Sequence, residues 1–68
     1  GEVFDALAEC FSRLTDRAQM SLKMRFSEDA SRERIARKLG ITEHGAKNLM
    51  QRAKSQLKEC VEGKLQRG

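Results

Sequence analysis

Four residues, Leu39-Gly40-Ile41-Thr42, are all that separates two stretches of helical periodicity, and so short a connection leaves two helices few ways to cross. Upstream, Ser31 is placed to cap a helix whose Ile35, Ala36 and Leu39 share one face, and Ala30 can staple onto Ile35. The acid of a full capping box is missing, with Arg34 in its place and Glu33 one residue early. Gly40 tolerates the left-handed backbone that stops a helix. Thr42 caps the second helix of the pair, with Ile41 and Ala46 as its staple. From there to Val61, the residues Ala46, Leu49, Met50, Ala53, Leu57, Cys60 and Val61 recur at helical spacing and keep one side inward. Glu43, His44, Lys47, Asn48, Gln51, Arg52 and Lys54 lie opposite. The pattern predicts helices over 31–39 and 42–62, the outline of a helix-turn-helix whose second helix enters a DNA groove.

Two glycines fall inside this pattern. Gly45 sits in the first turn of the long helix, where glycine costs about 1 kcal/mol relative to alanine. It reads either as a close approach to a DNA strand or as a tolerated residue in a fraying turn. Gly63 reads as the end of the long helix, leaving residues 63–68 loose.

The upstream half predicts two more helices. One spans about 2–14, with Val3, Phe4, Leu7, Phe11 and Leu14 as an inward stripe, Cys10 at its edge, and Glu2 and Asp5 favouring its N-terminal end. The other spans about 16–26, capped by Thr15, with Ala18, Leu22 and Phe26 in one row and Met20 and Met24 in a second. The reading preferred for this helix is burial on a broad front, since methionine fills gaps in small cores. The other reading leaves one row exposed for a protein partner. The fold class expected is all-α: one small four-helix domain over residues 1–68. A chain of this size buries only about 60% of the surface it exposes when unfolded, so its core is worth a few kcal/mol.

Charge is distributed unevenly. Residues 1–30 hold four Arg and Lys against six Asp and Glu, whereas residues 31–58 hold eight against two. Positive charge therefore collects on the candidate helix-turn-helix, as a polyanionic partner requires. Cys10 and Cys60 are too few for a disulfide scaffold, and both lie on apolar helix faces. They read as small buried hydrophobes in a reducing compartment; a bridge between them is the other reading. One histidine and two distant cysteines give no metal-ligand spacing, so neither metal nor cofactor is expected. No nucleophile–base pair or glycine-rich phosphate loop is present, which argues against an enzyme. Neither a membrane-spanning apolar run nor a signal peptide is found in the residues given. A start on Gly1 is compatible with one domain of a longer protein.

Three segments carry a resemblance. L-T-D-R-A-Q-M-S-L-K-M-R-F from Leu14, then S-R-E-R-I-A-R-K-L-G-I-T, then A-K-N-L-M-Q-R-A-K-S-Q-L together resemble region four of bacterial RNA polymerase sigma factors. The A-K-x-x-x-x-R-A-K-x-x-L-K-E-C pattern is most similar to the extracytoplasmic-function branch. The resemblance implies a cytoplasmic, monomeric promoter-binding domain that recognises the −35 element on double-stranded DNA and docks on the flap of the polymerase beta subunit. An anti-sigma factor is a further partner it implies. Matching positions place base reading at Glu43, His44, Lys47 and Asn48, and phosphate contacts at Arg17, Arg25, Arg32, Thr42 and Arg52. Glu43 stands where primary sigma factors carry arginine, and His44 and Gly45 differ from the usual residues of both branches, so the target sequence does not follow from the resemblance. Two rival readings are the effector domain of a response-regulator type transcription factor, and a protein-interaction module bound by an anti-sigma factor. The second needs Met20, Met24 and the Cys10–Leu14 edge exposed.

Overall fold

A computed structural model describes residues 1–67. Among them are four helices and no strand: α1 (Glu2–Ser12), α2 (Asp16–Ser27), α3 (Arg32–Leu39) and α4 (Glu43–Arg67). The all-α helix-turn-helix architecture agrees with the sequence pattern, and the caps explain where the helices begin. The Thr15 hydroxyl accepts from the Ala18 amide at 3.2 Å, that of Ser31 from Arg34 at 3.2 Å, and that of Thr42 from Gly45 at 2.9 Å. Each removes one of the unpaired donors at a helix start. Between α3 and α4, Gly40 is left-handed at φ 69°. The Ile41 amide donates to the Ala36 carbonyl at 2.9 Å and the Gly40 amide to that of Arg37 at 3.3 Å. This pair of bonds is a Schellman closure, which turns the chain sharply and satisfies carbonyls α3 leaves free.

The core lies where α2, α3 and α4 converge. Leu14, Ala18, Leu22, Met24, Ala30, Ile35, Ala36, Ala46, Met50 and Ala53 form one buried cluster, with Phe11, Leu39, Ile41, Leu49 and Leu57 partly buried against it. Ile35 is fully enclosed. Small residues on α4 let its backbone approach α2 and α3 closely, and the partly buried leucines close the rim.

Four expectations are corrected. First, α1 stops at Ser12, and Leu14 enters the core from a turn. The Gln19 side-chain amide donates to the carbonyls of Ser12 and Leu14 at 3.3 and 2.8 Å, which frees the chain to bend so that Thr15 can cap α2. Second, the predicted inward stripe of α1 is mostly outside. Val3 is 61% and Phe4 71% exposed, with Leu7 also exposed, while Ala6 and Cys10 are the buried residues of the helix. Seating Cys10 against α4 rotates the bulkier side chains outward. Third, the rows of α2 are split. Phe26 is 68% exposed and Met20 is exposed, whereas Met24 is buried. Fourth, α4 continues through Gly63 to Arg67, so residues 63–67 are helical and not loose; Gly68 lies outside the described residues. Gly63 keeps helical backbone, and Lys64 just beyond it bonds Glu9 at 2.9 Å, tying the last turns of α4 to α1.

The cysteines also depart from the preferred reading. Cys10 and Cys60 are joined in a disulfide that links α1 to the far half of α4, with their Cα atoms 5.8 Å apart. Fifty residues separate them along the chain. In the chain-entropy account, closing a loop of that length removes unfolded-state freedom worth about 4 kcal/mol. No helix among the described residues is long and apolar enough to cross a membrane.

Candidate nucleic-acid interface

The face that matters begins immediately after Thr42. Ala46, Met50 and Ala53 are buried and hold α4 against the core, which leaves Glu43, His44, Lys47 and Asn48 exposed on its outward side. All four base-reading candidates therefore sit on the first two turns of one helix. Glu43 also falls in that first turn, where its charge complements the positive end of the helix dipole.

Two open concavities flank these turns. The first, about 400 Å³, has Arg25, Ser31, Arg32, Lys47, Gln51 and Lys54 around it and Met50 as its floor. The second, about 300 Å³, lies between Arg17, Ile41, Gly45, Asn48, Leu49 and Arg52. The candidate residues thus divide in two. Lys47 faces the first hollow with Arg25 and Arg32, and Asn48 faces the second with Arg17 and Arg52. Glu43 and His44 line neither, and Thr42 uses its hydroxyl oxygen as the α4 cap while remaining exposed. The Arg25 guanidinium stands 3.7 Å from the Asp29 carboxylate, but the pair is solvent-exposed. Exposed pairs of this kind hold weakly, so Asp29 does little to keep Arg25 from an incoming phosphate.

Two residues of the first hollow, Gln51 and Lys54, lie on the outward face the sequence predicts but were assigned no contact there, and Ser31, the α3 cap, lines the hollow with them. A signal was present. Gln51 and Lys54 succeed Lys47 at helical spacing, so they extend its row along α4. Lys54 is further held by the Phe26 ring, its ammonium 5.4 Å from the centroid, a favourable cation–π distance.

Gly45 has a reason other than the two its position suggested. A Cβ there would lie 3.1 Å from the Thr42 hydroxyl oxygen, the atom that caps the helix. Glycine keeps that cap uncrowded.

A different surface lies further along α4. Phe4, Leu7, Ala8, Phe11, Leu22, Phe26 and Leu57 line a groove of about 460 Å³ with entirely apolar walls. It joins α1, α2 and the middle of α4. Leu57 is nine residues beyond Asn48, or about 13 Å along the helix axis. Among the described residues no group of three His, Cys, Asp or Glu side chains is placed to hold a metal ion.

The family described as sigma-70, region 4 matches residues 4–57, from the first turn of α1 to the apolar groove on α4. No curated protein and no solved structure matches the chain.

Proposed function

The chain belongs to the sigma-70 region 4 family, and on that premise we propose that it is the promoter-binding domain of an alternative sigma factor of the extracytoplasmic-function type. It recognises the −35 element as a cytoplasmic monomer and works by equilibrium binding. The observation that carries this reading is the pair of basic hollows on either side of the exposed first turns of α4. An α-helix about 10–12 Å across fills a major groove about 12 Å wide, and a strand of phosphates then passes along each flank. Arg25, Arg32 and Lys54 are placed for one strand and Arg17 and Arg52 for the other, with the Thr42 hydroxyl proton available at the helix start.

Between the strands, base edges meet Glu43, His44, Lys47 and Asn48. Glu43 accepts from the cytosine amine, Lys47 donates to guanine, and Asn48 pairs bidentately with adenine, while His44 donates or accepts. Each good bidentate pair discriminates by about 1 to 3 kcal/mol. Phosphate contacts set register without reading sequence. With about five phosphates neutralised, affinity falls with salt at a log–log slope near −4.5. A module of this size covers on the order of 600 to 1,000 Å² on DNA, so tight promoter binding depends on tethering to polymerase.

Family membership implies binding to the RNA polymerase core as well as to promoter DNA. We assign that contact, on the beta flap, to the apolar groove between α1, α2 and α4. An uncovered apolar surface of this kind marks an interaction site, and its position leaves the reading turns of α4 clear. An anti-sigma factor would compete there. The surface that the rival protein-interaction reading needs, Met20, Met24 and the Cys10–Leu14 edge, is not available as a whole, because Met20 is exposed but Met24, Cys10 and Leu14 are buried.

The test is selection of binders from random duplex DNA with the protein held on RNA polymerase core. The expected result is one enriched motif whose preference relaxes at one or two positions in Lys47→Ala and Asn48→Ala. An unenriched pool, or a motif unaffected by both substitutions, would overturn the reading.

A further inference from the structure

The disulfide, the groove and the reading face occupy different parts of the molecule, and their arrangement carries a consequence for regulation. We propose that the Cys10–Cys60 bond is a redox latch that holds α1 in place as a wall of the apolar groove. A dithiol reductant then dismantles the groove and leaves the α3–α4 reading unit folded. The link to polymerase rests on the docking reading above; the latch itself does not.

Four observations support it. The buried cluster that fixes α3 and α4 runs from Leu14 to Ala53 and includes no residue of α1. Of the α1 side chains, Ala6 and Cys10 alone are buried, while Val3, Phe4 and Leu7 face solvent. The helix is held by packing along α4, where Ala6 and Cys10 are buried, by Phe11 against the edge of the core, by the covalent bond to Cys60 and, more weakly, by the partly solvent-exposed Glu9–Lys64 ion pair. Finally, Phe4, Leu7, Ala8 and Phe11 of this same helix form one side of the groove. Loss of α1 docking removes that side at once.

A sigma factor acts on DNA in a compartment where thiols are kept reduced, and there a disulfide is transient and signalling in character. Cys10 is almost wholly enclosed whereas Cys60 is half-buried, so the less obstructed attack is on the Cys60 side. A thiolate of the reductant bonds to the Cys60 sulfur, the Cys10–Cys60 bond breaks, and Cys10 leaves as a thiolate that takes up a proton. The reductant's second thiol then displaces Cys60, closing a new disulfide on the reductant and releasing the Cys60 thiol. Two electrons and two protons pass to the protein, and the reductant is oxidised by the same amount.

Amide hydrogen exchange on the whole protein, with and without dithiothreitol, decides the matter. On reduction, residues 2–12 and the last turns of α4 should lose protection on the order of a hundredfold. Opening the cross-link lowers the stability of the whole fold, so residues 31–57 should also lose some protection but stay clearly better protected than residues 2–12, and affinity for the selected duplex should change by no more than about twofold. The Cys10→Ala/Cys60→Ala variant should match the reduced protein and ignore reductant. Retained protection at α1 after reduction, or its retention in the double variant, would overturn the latch. So would protection of residues 31–57 falling to the level of residues 2–12, or loss of DNA binding, either of which would make the bond a staple for the entire fold. Binding of RNA polymerase core is measured in parallel and should disappear on reduction. If the oxidised protein also fails to bind polymerase, the docking reading is at fault, and amide exchange still decides the latch.

Discussion

The α3–α4 end of the molecule and the α1 end are held together by different means. Around the turn, every element is specified locally: Ser31 and Thr42 accept from the first turns, Gly40 takes the left-handed backbone, and Ile35 and Ala46 are completely buried. This end is stable through its inward side, so its outward side is free to be polar and basic. At the other end the apolar residues exceed what the fold can bury. Phe4 and Phe26 remain about two-thirds exposed or more, and α1 is seated on α4 through small residues, Ala6 and Cys10, with a disulfide and one partly exposed ion pair added to that contact. The contrast teaches that the interior of one end serves stability while the apolar excess of the other is left for a partner.

The strongest challenge to that contrast is a matched pair of truncations. Ile35→Ala should destabilise by about 2 to 5 kcal/mol, enough to unfold most of the molecules, since it empties a fully enclosed site. Phe4→Ala should stay within about 0.5 kcal/mol of the parent in a urea melt yet weaken polymerase binding. Equal costs would mean that the α1 face is packed after all. Leu39 and Leu49, only half-buried, should fall between these extremes.

On the reading face the expected effects are on binding and smaller. Lys47→Ala should lose about 1 to 3 kcal/mol of preference at one base position, whereas Arg25→Ala should weaken all sequences alike and make the salt slope shallower by about 1. Direct titration against cognate and scrambled duplexes at several salt concentrations separates them. If Phe4→Ala reproduced either result, the division of labour between the two ends would fail.

A smaller effect is pH-dependent. The Lys64 ammonium, bonded to Glu9 at 2.9 Å, holds that carboxyl below its ordinary value, with Arg13 adding a weaker pull. The folded state then favours the charged form. This contribution to α1 docking is present above the unfolded value of about 4.5 and is lost as pH falls through the lower folded value. Exchange protection of α1 should decline over that acid range while α3 holds, and Glu9→Gln should remove the difference. The smallest effect belongs to Gly45→Ala. Its gain in helix preference of about 1 kcal/mol is offset by crowding of the Thr42 cap oxygen, so the melting curve should barely move.

Legibility in the sequence divides along the same line. The caps at Thr15, Ser31 and Thr42, the Gly40 turn and the inward face of α4 were all readable, because each depends on residues within a few positions of one another. The orientation of α1 was not. Its stripe of Val3, Phe4 and Leu7 has ordinary amphipathic spacing, and only the partner fifty residues away, Cys60, decides which side turns inward. The run past Gly63 was missed for a related reason, since Lys64 is engaged by Glu9 from another helix. The exposed positions of Glu43, His44, Lys47 and Asn48 agree with the pattern, but their division between two basic hollows depends on where α2 brings Arg17 and Arg25, which no local spacing encodes.

The central claim is that DNA is met by the outward side of the first turns of α4 and not by the apolar end. Backbone amide shifts recorded during titration with the selected duplex test it most directly. The account predicts the largest changes at residues 42–52, with further changes at Arg17, Arg25 and Arg32, and quiet signals at Phe4, Leu7 and Ala8. Changes centred on α1 and the apolar groove, with Lys47 and Asn48 unmoved, would contradict it.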